Sequence, residues 1–196
     1  MKYSLLIAAL VFTLSAQGQA WAKQYDHVDE CVCGLSLVGK GDKHGFVDKE
    51  GKLVIPLIYD DALTFSEGYA AVKKDGKWGF IDSTGKILVE HRYTEAMSFH
   101  YGLAVVSTGN EYGFIDTSGK VAIPLAYENA SQFSEGVAAV NKNGKWGYID
   151  KKGKEIIPFK YSFAGTFDGG AARVMLAGKW IIIDASGKKI ADGDGE

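Results

Sequence analysis

An all-β repeat array is the fold class that this 196-residue sequence predicts, and three observations predict it. Glycines recur at intervals of 34 residues, as Gly45, Gly79, Gly113 and Gly147, and again as Gly51, Gly85, Gly119, Gly153 and Gly187. The residue before the first series keeps the same interval, as His44, Trp78, Tyr112 and Trp146, and Trp180 continues it before Ile181. Between these markers, short apolar runs of strand length alternate with turn signals such as Asp75-Gly76. A fixed period of this size marks stacked supersecondary units, none of which buries its apolar face alone.

Taken in order, the chain opens with Lys2, an apolar run from Leu5 to Leu14, and a polar stretch ending in Ala20-Trp21-Ala22. This pattern predicts a cleaved secretory signal peptide over residues 1–22 and an exported product, periplasmic or extracellular. The run is about half of the ~20 apolar residues that a membrane-spanning helix needs, so no span is expected. No Cys follows it at the distance a lipid anchor requires. Residues 23–33 read as an N-terminal half-unit, because Tyr25 falls in the column of Tyr59, Tyr93, Tyr127 and Tyr161.

Five units follow, at 34–67, 68–101, 102–135, 136–169 and, truncated, 170–196. Each is expected to be a three-stranded antiparallel meander. In the second, Tyr69 to Lys73 leads into Asp75-Gly76, a type I′ hairpin signal because both central residues need a positive φ. Lys77 to Ile81 form the next strand, and Asp82-Ser83-Thr84-Gly85 the next turn, with Asp accepting hydrogen bonds from the turn's own N–H groups. A third strand runs from Lys86 to about Val89, and a polar connection with room for one helical turn between Tyr93 and Phe99 leads onward. Gly79 is costly inside a strand unless a bulge, another backbone or a ring comes close, so the Trp-Gly pair reads as a packing device. The expected assembly is a twisted open stack. A closed five-unit propeller-like ring is the alternative, because the N-terminal half-unit holds what the last unit lacks.

Composition narrows the function. With a formal net charge of −2 and Lys residues spread among the turns, the chain has no basic stripe, and nucleic acid is not an expected partner. No phosphate-cradling loop, dinucleotide fingerprint, nucleophile elbow or zinc-helix motif is present, and no cofactor or metal is implied. Catalysis needs unlike groups converging on one point, whereas the polar residues here are identical and one repeat apart. The Asp48, Asp82, Asp116, Asp150 and Asp184 column therefore reads as a turn feature, and the chain as a non-enzyme.

Two places depart from the template. The segment from Glu90, His91 and Arg92 to His100 and Tyr101 differs most from the other copies, which nominates these five residues as a partner-binding patch. Cys31 and Cys33 flank one residue of an extended segment, with Cα atoms about 6.6 Å apart at the strand rise. That is near the upper limit for a disulfide, so a mutual or intermolecular bridge, free thiols and a metal or redox role all stay open, although two ligands alone make a poor metal site. Cys31 also shares the column of Phe65, which would make it a packed thiol.

Lys77-Trp78-Gly79-Phe80-Ile81-Asp82 and Lys145-Trp146-Gly147-Tyr148-Ile149-Asp150, each followed by Gly-Lys and an aliphatic stretch, resemble the WG (KWG) repeat family of bacterial proteins. Phe65-Ser66-Glu67-Gly68 and Phe133-Ser134-Glu135-Gly136 fit the same pattern, and the resemblance runs from residue 23 to about 192. It implies a tandem β-repeat that works in interaction rather than in catalysis. His44 and Tyr112 in the Trp column, and Ile181 in the Gly column, depart from it.

The function expected from these readings is a non-catalytic scaffold binding another protein or a cell-envelope component. The alternative is a small-ligand or carbohydrate binder that uses Trp78, Tyr112, Trp146 and Trp180 as stacking platforms. Burial of those rings separates the two. Oligomeric state is not legible.

Overall fold

The structure is a computed structural model that describes residues 20–193; most of the expected signal peptide, residues 1–19, lies outside the described residues, as do residues 194–196. After a 3-10 turn at Ala20–Gln24, the chain forms five consecutive antiparallel sheets of four strands each. The first sheet contains β1 (His27–Val28), β2 (Leu35–Lys40), β3 (Lys43–Asp48) and β4 (Leu53–Tyr59). The second contains β5 (Asp61–Ala62), β6 (Tyr69–Lys74), β7 (Lys77–Asp82) and β8 (Ile87–Tyr93). The third contains β9 (Glu95–Ala96), β10 (Leu103–Ser107), β11 (Tyr112–Asp116) and β12 (Val121–Tyr127). The fourth contains β13 (Asn129–Ala130), β14 (Val137–Lys142), β15 (Lys145–Asp150) and β16 (Glu155–Tyr161). The fifth contains β17 (Phe163–Ala164), β18 (Ala171–Leu176), β19 (Lys179–Asp184) and β20 (Lys189–Asp192). Strand order follows the chain in every sheet, and no closed barrel forms among the described residues.

The unit is thus a four-stranded meander rather than the three-stranded one expected. The additional strand is a two-residue segment that begins two positions after each recurring Tyr. Asp61 and Ala62 pair with Lys73 and Val72, and Glu95 and Ala96 pair with Ser107 and Val106, where one helical turn had been allowed. Strand wins there because the flanking amides are also consumed by the same neighbour: Asp60 N donates to Lys73 O and Leu63 N to Ala71 O. A second tight turn follows at once. In Ser66-Glu67-Gly68-Tyr69, Glu67 and Gly68 both adopt positive φ, 52° and 87°, reversing the chain into β6. Each sheet consequently starts seven residues ahead of the boundaries read from the sequence, and residues 27–28 complete the first sheet.

The Asp75-Gly76 hairpin has the backbone its sequence demands, with φ of 51° and 75°. Gly79 sits at a bulge between β7 and β8, where a Cβ would lie 2.5 Å from Val89 O. Backbone, not a neighbouring ring, makes glycine obligatory there. The fifth sheet shows the converse: Ile181 pairs directly with Asp192, the register shift comes only after Ile182, and a side chain is tolerated.

Neighbouring sheets bury each other's faces. Phe46, Phe80, Phe114 and Tyr148 each meet, edge to face, the Phe that opens the next unit, namely Phe65, Phe99, Phe133 and Phe167, at 4.8, 5.0, 4.9 and 4.9 Å between ring centroids. Around these pairs lie four apolar clusters in series, each shared by two consecutive sheets. Ser66 Oγ also donates to Phe99 O at 2.7 Å, and Gly102 N donates to Glu67 Oε2 at 2.8 Å. The fourth and fifth sheets repeat this clamp through Ser134 to Phe167 O and Gly170 N to Glu135.

Candidate binding surface

The repeated polar residues are committed to turns. Asp82 Oδ1 accepts from Thr84 N, Thr84 Oγ1 and Lys86 N at 2.9, 2.6 and 3.1 Å. Asp48, Asp116, Asp150 and Asp184 accept the matching amide pair in their own sheets. The Thr84 hydroxyl holds the Asp82 carboxyl below the usual carboxylate range; Ser118 and Ser186 do the same for Asp116 and Asp184, and the Lys154 amide for Asp150. Each of the five carboxylates accepts these bonds through Oδ1 within its own loop.

In the aromatic column Trp78 is buried, whereas Tyr112, Trp146 and Trp180 are half-buried. Trp78 is 9% exposed and packs in the cluster between the second and third sheets. Tyr112 lies between the third and fourth, its hydroxyl donating to Glu95 Oε2 at 2.7 Å, a bond that raises its pKa. Trp146 lies between the fourth and fifth. Of the proposed platforms, Trp180 alone belongs to the last sheet.

Among the described residues, no further sheet is stacked on one face of that sheet. Cross-strand pairing puts Phe163, Met175 and Trp180 in one row and Arg173, Ile182 and Ala191 in the next. In the earlier sheets the Arg173 position is Leu37, Ala71, Val105 or Ala139, all buried under the following unit. Here the side chain is exposed, and its guanidinium lies 4.4 Å from the Trp180 ring centroid. Phe163 is 46% exposed and bridges two indoles, 6.2 Å from Trp146 and 5.3 Å from Trp180. The result is an apolar face with one fixed cation. Sequence reasoning missed both residues although the signal was present: Phe163 stands in the polar column of Asp61, Glu95 and Asn129, and Arg173 in an apolar one.

The nominated segment is divided between two sheets. Glu90, His91 and Arg92 lie on β8, where Glu90 and Arg92 are exposed and His91 is half-buried against Tyr59, with ring centroids 6.0 Å apart. Burial lowers the His91 pKa. Arg92 Nη2 donates to Tyr93 Oη at 3.0 Å and stacks over that ring. His100 and Tyr101 occupy the tight turn before β10, at the position that carries the Ser-Glu clamp in the second and fourth sheets. Tyr101 is held at a φ of 55°, is 51% exposed, and has Lys151 Nζ 5.1 Å from its ring centroid.

Cys31 and Cys33 are both exposed free thiols, and Cys33 takes a φ of 54° in the corresponding turn of the first sheet. Cys31 is therefore not the packed residue its column implied: the Phe at that position elsewhere is buried against a preceding sheet, and Cys31 has none among the described residues.

A series of four-stranded meanders joined face to face by one repeated aromatic pair defines a β-repeat array. The chain belongs to the WG containing repeat family, which matches it four times, at residues 45–78, 78–112, 112–146 and 146–180. No curated protein matches it. Among solved structures it is similar to Kluyveromyces lactis Hsv2 with its complete loop 6CD, at 9% identity and a TM-score of 0.54, over 81% of this chain and 59% of that one. It is similar to a eukaryotic initiation factor at 13% identity and a TM-score of 0.54, over 87% of this chain and 55% of that one. Those neighbours are β-propeller-like, and the likeness is one of fold. The chain spans less than two thirds of the length of either. Among the described residues, no helix is long and apolar enough to cross a membrane.

Proposed function

We propose that this chain is an exported, non-catalytic scaffold that holds a partner protein of the cell envelope on the outer face of its fifth sheet. The observation that carries this reading is Arg173, an exposed cation at a position that is apolar and buried in the other four sheets. A guanidinium held over an indole face can still offer N–H donors to a carboxylate. The complementary partner therefore offers apolar side chains to Phe163, Trp180 and Ile182 and an acidic group to Arg173. The leader-like pattern of residues 1–22 supports export, and the commitment of the repeated Asp residues to turns supports a binding rather than a catalytic role. Carbohydrate stacking is less well supported, because Trp78 is buried and Tyr112 and Trp146 are half-buried against the joints between sheets.

The test is a photo-reactive residue placed at position 163 and, as a control, at exposed Ile87, with cross-linking in the native envelope. The reading predicts a discrete adduct from position 163 that disappears when Arg173→Glu is added. An adduct unaffected by that change, or one formed equally from position 87, contradicts it.

A further inference from the structure

The repeat extends one step back beyond the first sheet. In each pair of neighbours, the turn glycine of one sheet is covered by an aliphatic residue from the fourth strand of the sheet before it. A Cβ on Gly85 would lie 3.3 Å from Ile55, on Gly119 2.8 Å from Val89, on Gly153 3.3 Å from Ile123 and on Gly187 3.0 Å from Ile157. Those four residues form one column, and 34 positions before Ile55 stands Trp21. Trp21 does the same work: a Cβ on Gly51 would collide with its indole ring. Tyr25, in the column of Tyr59, meets Trp21 edge to face at 6.4 Å, and Tyr25 N donates to Ala22 O at 3.1 Å. Trp21 thus covers the turn of the first sheet, in the place of a sheet that would precede it.

This contact bears on where the leader is cut. Two overlapping small-x-small triplets suit signal peptidase, Gly18-Gln19-Ala20 and Ala20-Trp21-Ala22. Cleavage after the second excises Trp21 and leaves Gly51 uncovered. We infer that the processed bond is Ala20–Trp21, so that the mature chain starts on the tryptophan that seals the first sheet. The step is a peptide hydrolysis: water adds across the bond, leaving a carboxylate on Ala20 and an amine on Trp21. This inference rests on the export reading above.

The experiment is intact-mass and N-terminal analysis of the full chain expressed through an export pathway, with two variants that each disable one triplet. The expected mature N-terminus is Trp21, unchanged in Ala22→Tyr, whereas Gly18→Tyr accumulates precursor or shifts the start to Lys23. A native start at Lys23, or processing abolished by Ala22→Tyr and not by Gly18→Tyr, overturns the inferred bond while leaving export intact. An unprocessed chain retained in the cytosol overturns the export reading and this one with it. A further arm compares melting of the processed wild type and Trp21→Ala: a fall of several degrees is expected, and identical midpoints overturn the sealing role.

Discussion

The Phe80 ring meets Phe99 of the next sheet edge to face, with centroids 5.0 Å apart and an interplanar angle of 61°. Both rings are fully buried, so the second and third sheets lose their shared core if either is truncated. Phe99→Ala is expected to cost about 3–5 kcal/mol. Because stability in such an array is roughly a sum over neighbouring interfaces, urea unfolding of this variant should separate into two transitions. One unshifted transition would show that the pair is not a joint.

Gly79 has a different role, set by backbone. A Cβ there would press on Val89 O at 2.5 Å, and the equivalent on Gly147 would lie 2.8 Å from Ile157 O. Gly79→Ala and Gly147→Ala should each destabilise by about 1–3 kcal/mol, as overpacking does. Chemical denaturation at fixed pH measures this, and a neutral effect would mean that the bulge relaxes without cost.

The turn carboxylates of Asp82, Asp116, Asp150 and Asp184 are held below the usual range by hydrogen bonds. Their contribution is therefore present above the ordinary carboxylate pKa and lost as pH falls through the depressed native values. Thermal midpoints should be flat from about pH 8 to 5 and should drop below about pH 4. Replacing all four residues by Asn should lower the plateau and flatten the acid limb. An acid limb unchanged by the substitutions would place the titration elsewhere.

The Ser66 hydroxyl reaches across to Phe99 O at 2.7 Å, and Ser134 reaches Phe167 O at the same distance. Ser66→Ala and Ser134→Ala should each cost about 0.5–1.5 kcal/mol. Urea titration of the single and double variants gives the cost of each clamp. Costs that fail to add would show that the two joints, one between the second and third sheets and the other between the fourth and fifth, are coupled.

Both thiols are exposed. The reduced folded protein should label at Cys31 and Cys33 with a maleimide without denaturant, and Cys31→Ser with Cys33→Ser should change stability by less than about 0.5 kcal/mol. Labelling that requires unfolding would restore a packed role for Cys31.

Much of this architecture was legible because identical residues recur under identical constraints. The Asp75-Gly76 hairpin, the Asp82 turn and the bulge at Gly79 each follow from one residue's conformational needs. The two-residue strands were not legible, because Glu95-Ala96 carries no strand propensity and is fixed by pairing with Ser107 and Val106. The candidate surface was hidden for a related reason. Attention to the segment with most substitutions led to His91 and His100, whereas the informative substitutions were single ones in otherwise uniform columns, Phe163 and Arg173. Only stacking shows that the Arg173 position faces the next unit.

The claim beneath all of this is that each sheet is held by its immediate neighbours and that the two ends of the series differ from its middle. Hydrogen exchange followed strand by strand by mass spectrometry tests it most directly. The account predicts strongest protection in β6, β7, β10, β11, β14 and β15, which have a sheet on either side, and weakest protection in β18 to β20. Equal protection of the first, third and fifth sheets would contradict it, since that is the behaviour of a closed ring in which no sheet is terminal.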